Sequence, residues 1–273
     1  MSHYLLIDLG YFNFFRFFAA KSWYRRRHDY VDDETMSNDP NFQSTLQKRV
    51  VESISKIIKT LNIPWKHVIF CRDCPQSQIW RMSDKTDYKD GRDTNLNVKT
   101  GFTLISQTID QLIKEKECYR IQQDRLEADD LVYLVRNYIL THQPEAQFTI
   151  ITSDIDYYQI CYPNTKILRL DNRDAMKKSL GDPKLDLLVK IIQGDKSDNI
   201  PSIIPKCGPK TALKYAQDPK LLEKLLQDNE TARLNYQHNK RLIDFSEIPT
   251  EYQQLVNQKL NKEYNLSVNK IML

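Results

Sequence analysis

The sequence predicts an α/β fold in which a mainly parallel sheet is flanked by helices and followed by a helical C-terminal region. Three observations support this prediction: short apolar runs that each end at an acidic residue, helical patterns between these runs, and the loss of strand character after Gly194. Ligands of such sheets lie beyond the carboxyl ends of the strands. Acids that follow different strands should therefore meet at one edge.

The strands are predicted from short runs of apolar and β-branched residues. The three clearest runs lie at residues 4–7, 68–71 and 148–152, and a fourth strand is predicted at 166–170. The first three runs lead into Asp8, Asp73 and Asp154. Each of these strands would deliver one carboxylate to the edge of the sheet.

Helical spacing of apolar residues is clearest at residues 43–61 and from Glu127 to about Leu140. Residues 80–99 are polar and have no period, which is typical of a long loop or of a segment that orders on binding. Beyond Gly194 the chain is rich in lysine, and helices are predicted at 231–242 and 250–259.

Composition excludes several classes of protein. The chain has 273 residues, 40 Lys and Arg against 36 Asp and Glu, and five cysteines, an odd number that argues against a disulfide framework. Cys71 and Cys74 form a CxxC pair, for which a zinc or redox site is the less favoured interpretation. Asp8 and Arg16 interrupt the apolar N-terminus, so we expect a soluble, cytoplasmic protein without a signal peptide or membrane span. We also expect a monomer.

Acidic residues recur in three short motifs, and each motif alone has a structural explanation. Glu127, Asp129 and Asp130 begin a predicted helix, where acids favour the helix dipole. Asp154 and Asp156 are compatible with a turn or a helix cap. The pair at 195 and 198 is compatible with a polar loop.

Their combination predicts a metal centre. At about 4 Å, two like charges repel by roughly 4 kcal/mol even at an effective dielectric constant of 20, so a cluster of acids requires cations. Oxygen ligands without histidine favour Mg²⁺, or Mn²⁺ in its place, over zinc, and two such ions can catalyse phosphodiester hydrolysis. The predicted metal ligands are Asp8, Asp73, Glu127, Asp129, Asp130, Asp154, Asp156, Asp195 and Asp198.

A series of motifs resembles a known family. The motifs are IDLG, DYKDGRD, LEADD, TSDIDYYQ, GDKSDNIP and CGPKTALKY, in this order along the chain. Their order and approximate spacing, over about residues 4–216, resemble the 5′-to-3′ exonuclease and flap endonuclease family. The short chain is most similar to the bacteriophage branch, which includes enzymes named ribonuclease H.

The resemblance implies a domain organisation and a division of the acids. A PIN-like nuclease domain would span residues 1–180, with a helical arch at about 80–105. A helical part would span 181–273, with a DNA-binding helix-hairpin-helix motif at about 195–217. One metal region would comprise Asp8, Asp73, Glu127, Asp129 and Asp130, and the other Asp154, Asp156, Asp195 and Asp198.

The polar segment gains roles from the resemblance. Composition alone favours a solvated loop of mixed charge at residues 80–99. Arg81, Tyr88, Lys89 and Arg92 match positions of the family's arch. Lys89 and Arg92 become candidate catalytic residues beside the metal ligand Asp154, because fixed cations neutralise the charge that develops in phosphoryl transfer. Arg81 and Tyr88 become candidate nucleic-acid contacts, with the Tyr88 ring stacking on a displaced base.

Further basic residues are candidates for phosphate-backbone contacts. Residues 11–27 combine aromatics with basic residues and contain no acid; we expect Phe12 to Phe18 to pack mostly in the core and Arg16 to contact the backbone. Lys206, Lys210 and Lys214 surround a predicted helix start that could receive a phosphate, although Gly-Pro also begins ordinary helices. Two glycines of the family's hairpin are missing at 202–207, so the sequence does not support the potassium ion bound by relatives.

These features together predict a Mg²⁺-dependent 5′ nuclease, both exonuclease and flap endonuclease. Its expected substrates are double-stranded, nicked or flapped DNA and RNA primers in RNA–DNA duplex, during replication and repair. The alternatives are an inactive protein that binds branched DNA and a PIN-type ribonuclease for single-stranded RNA. The tail at 269–273 is a candidate docking segment for a sliding clamp or a single-strand-binding protein, although packed or disordered termini are more common.

Overall fold

A five-stranded parallel sheet forms the centre of the fold. The computed structural model describes residues 1–28, 32–90, 98–171 and 173–264, with side chains up to residue 262. The strand order is β3-β2-β1-β4-β5, and every neighbouring pair is parallel. The strands are β1 (His3–Asp8), β2 (Val68–Arg72), β3 (Tyr119–Gln122), β4 (Gln147–Ile151) and β5 (Thr165–Leu168).

This sheet confirms the predicted α/β class and the four predicted strands, with β5 beginning one residue earlier and ending two residues earlier than expected. The sequence did not reveal β3, whose four residues YRIQ include only one that is fully buried. This strand pairs with β2 at an edge of the sheet, where its apolar pattern is weak.

The described part of the chain contains eleven α-helices. The predictions at 43–61, 127–140, 231–242 and 250–259 correspond to α3, α6, α10 and α11, and those α-helices are confirmed, whereas α1 and α5 were not predicted. The helices are α1 (Leu9–Arg25), α2 (Asp33–Asn38), α3 (Pro40–Leu61), α4 (Arg81–Asp84), α5 (Lys99–Lys116), α6 (Ala128–His142), α7 (Pro183–Gln193), α8 (Pro209–Gln217), α9 (Pro219–Asp228), α10 (Glu230–Ile243) and α11 (Thr250–Lys259).

The two faces of the sheet bury different helices. Leu5 and Ile7 of β1 pack against α1, α3 and α5, whereas Tyr4 and Leu6 pack against α6 on the opposite face. Alternation along β1 thus places apolar residues in both layers, as expected for a central parallel strand. Of the aromatic run, Phe12 is fully buried, but Phe14 remains 42% exposed, so the expected core packing holds only in part.

The C-terminal helices pack back onto the core formed by α6 and the sheet. Val256 and Leu260, in and just after α11, are buried in the same cluster as α6 and the sheet. All five cysteines are free thiols, and Cys71 and Cys74 lie among apolar neighbours. Among the described residues, no helix combines the length and apolar character needed to cross a membrane.

The predicted arch and the predicted division at residue 180 stay predictions. Within the arch segment the structure describes α4 and the start of α5, while residues 91–97, including Arg92, lie outside the described residues. The tail at 269–273 also lies outside them.

Candidate metal centre and nucleic-acid interface

Asp8 lies at the carboxyl end of the central strand β1, where it also caps α1. Its Oδ1 accepts a hydrogen bond from the Tyr11 backbone N–H at 3.1 Å, and its Oδ2 accepts from Thr152 Oγ1 at 3.1 Å and Tyr157 OH at 3.0 Å. Burial, with repulsion from Asp73 and Asp154, raises the pKa of Asp8 to about 7. A divalent cation would stabilise the charged form of this carboxylate.

Asp73 follows the neighbouring strand β2, and its Oδ1 accepts a hydrogen bond from the Ala128 N–H at 2.9 Å. Gly10 lies between this acid and Asp8. A Cβ atom at Gly10 would lie 3.1 Å from Asp73 Oδ2 and 3.2 Å from Asp8 Oδ1, closer than ordinary van der Waals contact. The glycine therefore leaves room beside the two carboxylates.

Glu127, Asp129 and Asp130 form the first acidic group, with carboxylate oxygens within 4.8 Å of one another. They lie at the N-terminus of α6, where Glu127 and Asp130 form a reciprocal capping box. Burial and repulsion from Asp130 and Glu127 hold the pKa of Asp129 well above its usual range. Burial and neighbouring carboxylates therefore destabilise the charged form of Asp129, as they do that of Asp8.

Asp156, Asp195 and Asp198 form the second acidic group, again within 4.8 Å. Asp156 follows β4, whereas the other two lie in the hairpin segment (residues 194–208) between α7 and α8. Gly194 makes this turn with a φ of 73°, and a Cβ there would lie 2.4 Å from the backbone oxygens of Ile200 and Pro201. The chain thus returns sharply enough to bring the hairpin acids beside the strand edge.

Asp154 belongs to neither of these groups. Its side chain is exposed, and its Oδ1 accepts a hydrogen bond from the Asp156 N–H at 3.0 Å. Its charge contributes to the raised pKa of Asp8, so it lies near that carboxylate.

Lys89 lies between the two groups. Its Nζ pairs with Glu127 and lies 3.8 Å from Asp198 Oδ2. Lys89 has a φ of 57°, and its backbone N–H donates to the Asp198 carbonyl at 3.3 Å. Although burial raises the pKa of Glu127, the charges of Lys89 and Arg81 outweigh it and hold that pKa below its usual value.

Two predicted nucleic-acid contacts require correction. Arg81 is 1% exposed and donates to Asp130, to Glu127 and to the Leu242 carbonyl. Tyr88 is 3% exposed, and its OH donates to Glu127 at 3.1 Å. Neither side chain can reach a phosphate or a base in this structure, because both are buried and their polar atoms donate hydrogen bonds to the acidic groups.

Asp130 is also buried and hydrogen-bonded to other groups of the protein. It is fully buried, and its oxygens accept hydrogen bonds from Arg81, from Trp80 Nε1 at 3.1 Å and from the Glu127 N–H at 3.1 Å. These bonds occupy the carboxylate and orient Glu127.

The structure adds Lys190, which the sequence analysis did not single out. Its Nζ lies 2.8 Å from Asp195 Oδ2 and also pairs with Asp156. Lysine five residues before an aspartate is a common pattern, so the sequence carried little signal for this contact.

The remaining predicted basic residues lie on two surfaces. Arg16 is partly buried against α3, where its Nη1 donates to Ser53 Oγ at 2.6 Å. Lys206, Lys210 and Lys214 are exposed on the hairpin segment and α8. Lys206 has a φ of 58°, a conformation that glycine adopts without strain. A groove of about 1170 Å³ connects the second acidic group with Lys206 and Lys210.

Comparison with known proteins identifies the family. Residues 3–184 match the model of the 5′-3′ exonuclease N-terminal resolvase-like domain. The chain belongs to this family. It is 26% identical over 230 residues to ribonuclease H of enterobacteria phage T4, covering 76% of this chain and 73% of the relative. It is 27% identical over 192 residues to DNA polymerase I of Lactococcus lactis, covering 65% of this chain but only 21% of the polymerase.

Solved structures of similar fold come from phage T5. One is a 5′-exonuclease with bound divalent metal ions (zinc), with a TM-score of 0.67 and 14% identity over 96% of this chain and 100% of that one. Another is a flap endonuclease in a pseudo-enzyme–product complex with DNA and metal ions, with a TM-score of 0.67 and 14% identity over 97% of this chain and 100% of that one. These structures share the fold of this 5′-3′ exonuclease family member.

The donor set suits hard divalent cations. Both acidic groups supply carboxylate oxygens as ligands. The space beside Gly10 lies open next to two further carboxylates. Ions bound at these acids would supply an activated water and neutralise charge on a phosphate. Binding would also offset the repulsion that raises the pKa of Asp8 and Asp129.

Proposed function

We propose that this chain is a Mg²⁺-dependent 5′ nuclease that hydrolyses phosphodiester bonds at the 5′ ends and 5′ flaps of duplexes, including RNA primers paired to DNA. The observation that carries the proposal is the position of Lys89 between two acidic groups at the carboxyl edge of the sheet. A phosphate held there would meet both metal ligands and a fixed cation. Replication and repair are the processes that require this reaction.

The acids divide into ligands and supports. Asp8, Asp73, Glu127 and Asp129 would hold Mg²⁺ at the first region, with Asp154 at its edge. The second acidic group would hold another ion. Asp130 would act without binding the metal, by orienting Glu127 through the capping box and Arg81. Mn²⁺ would substitute, since it accepts the same oxygen ligands.

Lys89 would act on the substrate once metal binding weakens its pairing with Glu127. Its ammonium would then be free to neutralise the scissile phosphate and the charge that develops in the transition state. Arg92 would contribute a second charge of the same kind.

Substrate binding would use the backbone rather than the bases. Lys206, Lys210 and Lys214 present exposed charges on the hairpin segment and α8, and the groove leads from Lys206 and Lys210 to Asp156 and Asp195. Arg16 would contact the backbone on the opposite side of the strand edge. The proposed partners are double-stranded, nicked or flapped DNA and RNA–DNA duplex, bound by a monomer, with a sliding clamp or single-strand-binding protein as further partner.

The test is cleavage of a 5′-labelled flap, a matching nicked duplex and an RNA hairpin by the wild type, Asp154→Asn and Lys89→Ala, at one salt concentration. We expect short 5′ products from the duplex substrates that require Mg²⁺ and are strongly reduced in both variants. Tight binding without cleavage in Mg²⁺ or Mn²⁺ would instead identify an inactive branched-DNA binder. Preferential cleavage of the hairpin would identify a single-strand ribonuclease.

A further inference from the structure

Lys190 provides a cation inside the second acidic group. Its side chain extends from α7 and is 12% exposed, and its Nζ pairs with Asp156 and lies 2.8 Å from Asp195 Oδ2. These two acids come from different parts of the chain, one after β4 and the other in the hairpin segment. The ammonium thus bridges the strand edge and the hairpin.

This charge compensates a cluster that would otherwise repel itself. The three acids have oxygens within 4.8 Å of one another, a distance at which like charges repel strongly. Lys190 Nζ lies 2.8 Å from Asp195 Oδ2, and Asp195 Oδ1 accepts hydrogen bonds from the Ser197 N–H at 2.8 Å and from Ser197 Oγ at 2.5 Å. The ammonium and the Ser197 groups therefore offset the negative charge of this carboxylate.

We propose that Lys190 is a tethered counter-ion that competes with a divalent cation for Asp156 and Asp195. The inference rests on the proposed function, because it assumes that the second acidic group binds metal. Asp156 and Asp195, which pair with the ammonium, both belong to the acidic group that a metal ion would bind, so the ammonium must withdraw before both become ligands. The second ion therefore binds more weakly than the bare carboxylates would allow.

Withdrawal of the ammonium has a second consequence. Lys190 lines the groove that also includes Lys206 and Lys210. Once displaced, its charge lies nearer to the surface on which a phosphate backbone would bind. Metal loading of the second acidic group thus adds a positive charge to the proposed substrate path.

The test uses Mn²⁺ and the full chain without nucleic acid. Free Mn²⁺ is followed by electron paramagnetic resonance during titration of the wild type, Lys190→Met, Lys190→Arg and Lys184→Met. Lys184 is exposed on the same helix and serves as the matched control. We expect Lys190→Met to tighten the weaker Mn²⁺ site by about tenfold or more, because it removes a positive charge next to the ion. The Arg variant and the control should bind as the wild type does.

A stability measurement accompanies the titration. In EDTA at pH 8, Lys190→Met should unfold at a lower temperature than the wild type. Mn²⁺ should raise the unfolding temperature of the variant by more than it raises that of the wild type. Circular dichroism at 20 °C would show that the variant is folded.

The possible failures are distinguishable. If the weaker Mn²⁺ site has the same affinity in Lys190→Met as in the wild type, the role of Lys190 is overturned. The metal-dependent nuclease would then still stand. Loss of an ion in Lys190→Met would overturn it as well, since a competitor cannot be needed for binding. Absence of Mn²⁺ binding by every variant would overturn both proposals.

Discussion

The guanidinium of Arg81 binds both carboxylate oxygens of Asp130, with Nη2–Oδ1 and Nη1–Oδ2 distances of 2.7 and 2.9 Å. Its Nη1 also donates to Glu127, and its Nε donates to the Leu242 carbonyl at 2.7 Å. One buried side chain thus joins α4, the start of α6 and the end of α10. It links the acidic site to the C-terminal helices.

Removing this guanidinium should destabilise the protein. Arg81→Met leaves Asp130 buried and without its charge partner, which typically costs about 3–5 kcal/mol in the free energy of unfolding. Urea denaturation in EDTA measures the loss. Arg49→Met, which breaks an exposed pair with Glu52, is the control and should unfold as the wild type does. Equal midpoints for Arg81→Met and the wild type would refute the structural role.

Arg81 also illustrates what sequence reasoning could and could not find. A strand such as β1 is visible because its apolar residues are consecutive, and the acid that follows it lies at the sheet edge by topology alone. The motif order likewise identified the acids as one constellation. An arginine in a polar segment carries no local sign of burial, because its partner Asp130 lies 49 residues away. Lys190 was missed for a different reason, because a lysine five residues before an aspartate is too common a pattern to indicate a contact.

The raised pKa of Asp8 predicts that the metal-free protein loses stability as the pH rises. The folded state has a pKa of about 7 and the ordinary value is 3.8, so between these values the folded state binds the proton more tightly than the unfolded state. The free energy of unfolding should therefore fall by roughly 2 to 4 kcal/mol from pH 4 to pH 8 in EDTA.

Urea denaturation across this pH range, with and without Mg²⁺, measures the effect. Mg²⁺ should restore stability at pH 8, and Asp8→Asn should show a flatter pH profile and a smaller gain from Mg²⁺. Parallel pH profiles of the wild type and Asp8→Asn in EDTA would show that the Asp8 carboxylate is not destabilised when charged.

Lys89 should affect turnover more than binding. Removing a charge aimed at the developing transition state typically lowers kcat by about 10²- to 10³-fold, and we expect a loss of this size for Lys89→Ala with a smaller change in KM. Steady-state cleavage of a 5′ flap in Mg²⁺ gives both constants. Lys89→Arg should recover part of kcat, and Lys66→Ala, an exposed lysine at the other edge of the sheet, should be unaffected. A change confined to KM would assign Lys89 to substrate binding alone.

The lysines around α8 should determine the salt dependence of substrate binding. Each phosphate contact contributes nearly one unit to the slope of log K against log salt concentration, so Lys206→Ala, Lys210→Ala and Lys214→Ala should each reduce the slope by about one. Fluorescence anisotropy with a labelled flap in Ca²⁺ measures this slope. Lys224→Ala on α9 is the exposed control. Slopes that match the control would place the duplex elsewhere.

Substitution of Gly10 by alanine should lower the activity without lowering the stability. Alanine favours a helix over glycine by about 1 kcal/mol, and Gly10 lies in the first turn of α1, so Gly10→Ala should unfold at an equal or higher urea concentration. The added Cβ would nevertheless press on Asp73 and Asp8, at 3.1 and 3.2 Å from their oxygens, and move them from the positions in which they meet. Because metal geometry tolerates small errors poorly, we expect Mg²⁺-dependent cleavage to fall by about tenfold or more. Wild-type cleavage by a stable Gly10→Ala protein would show that the space beside these two carboxylates is not needed for the metal centre.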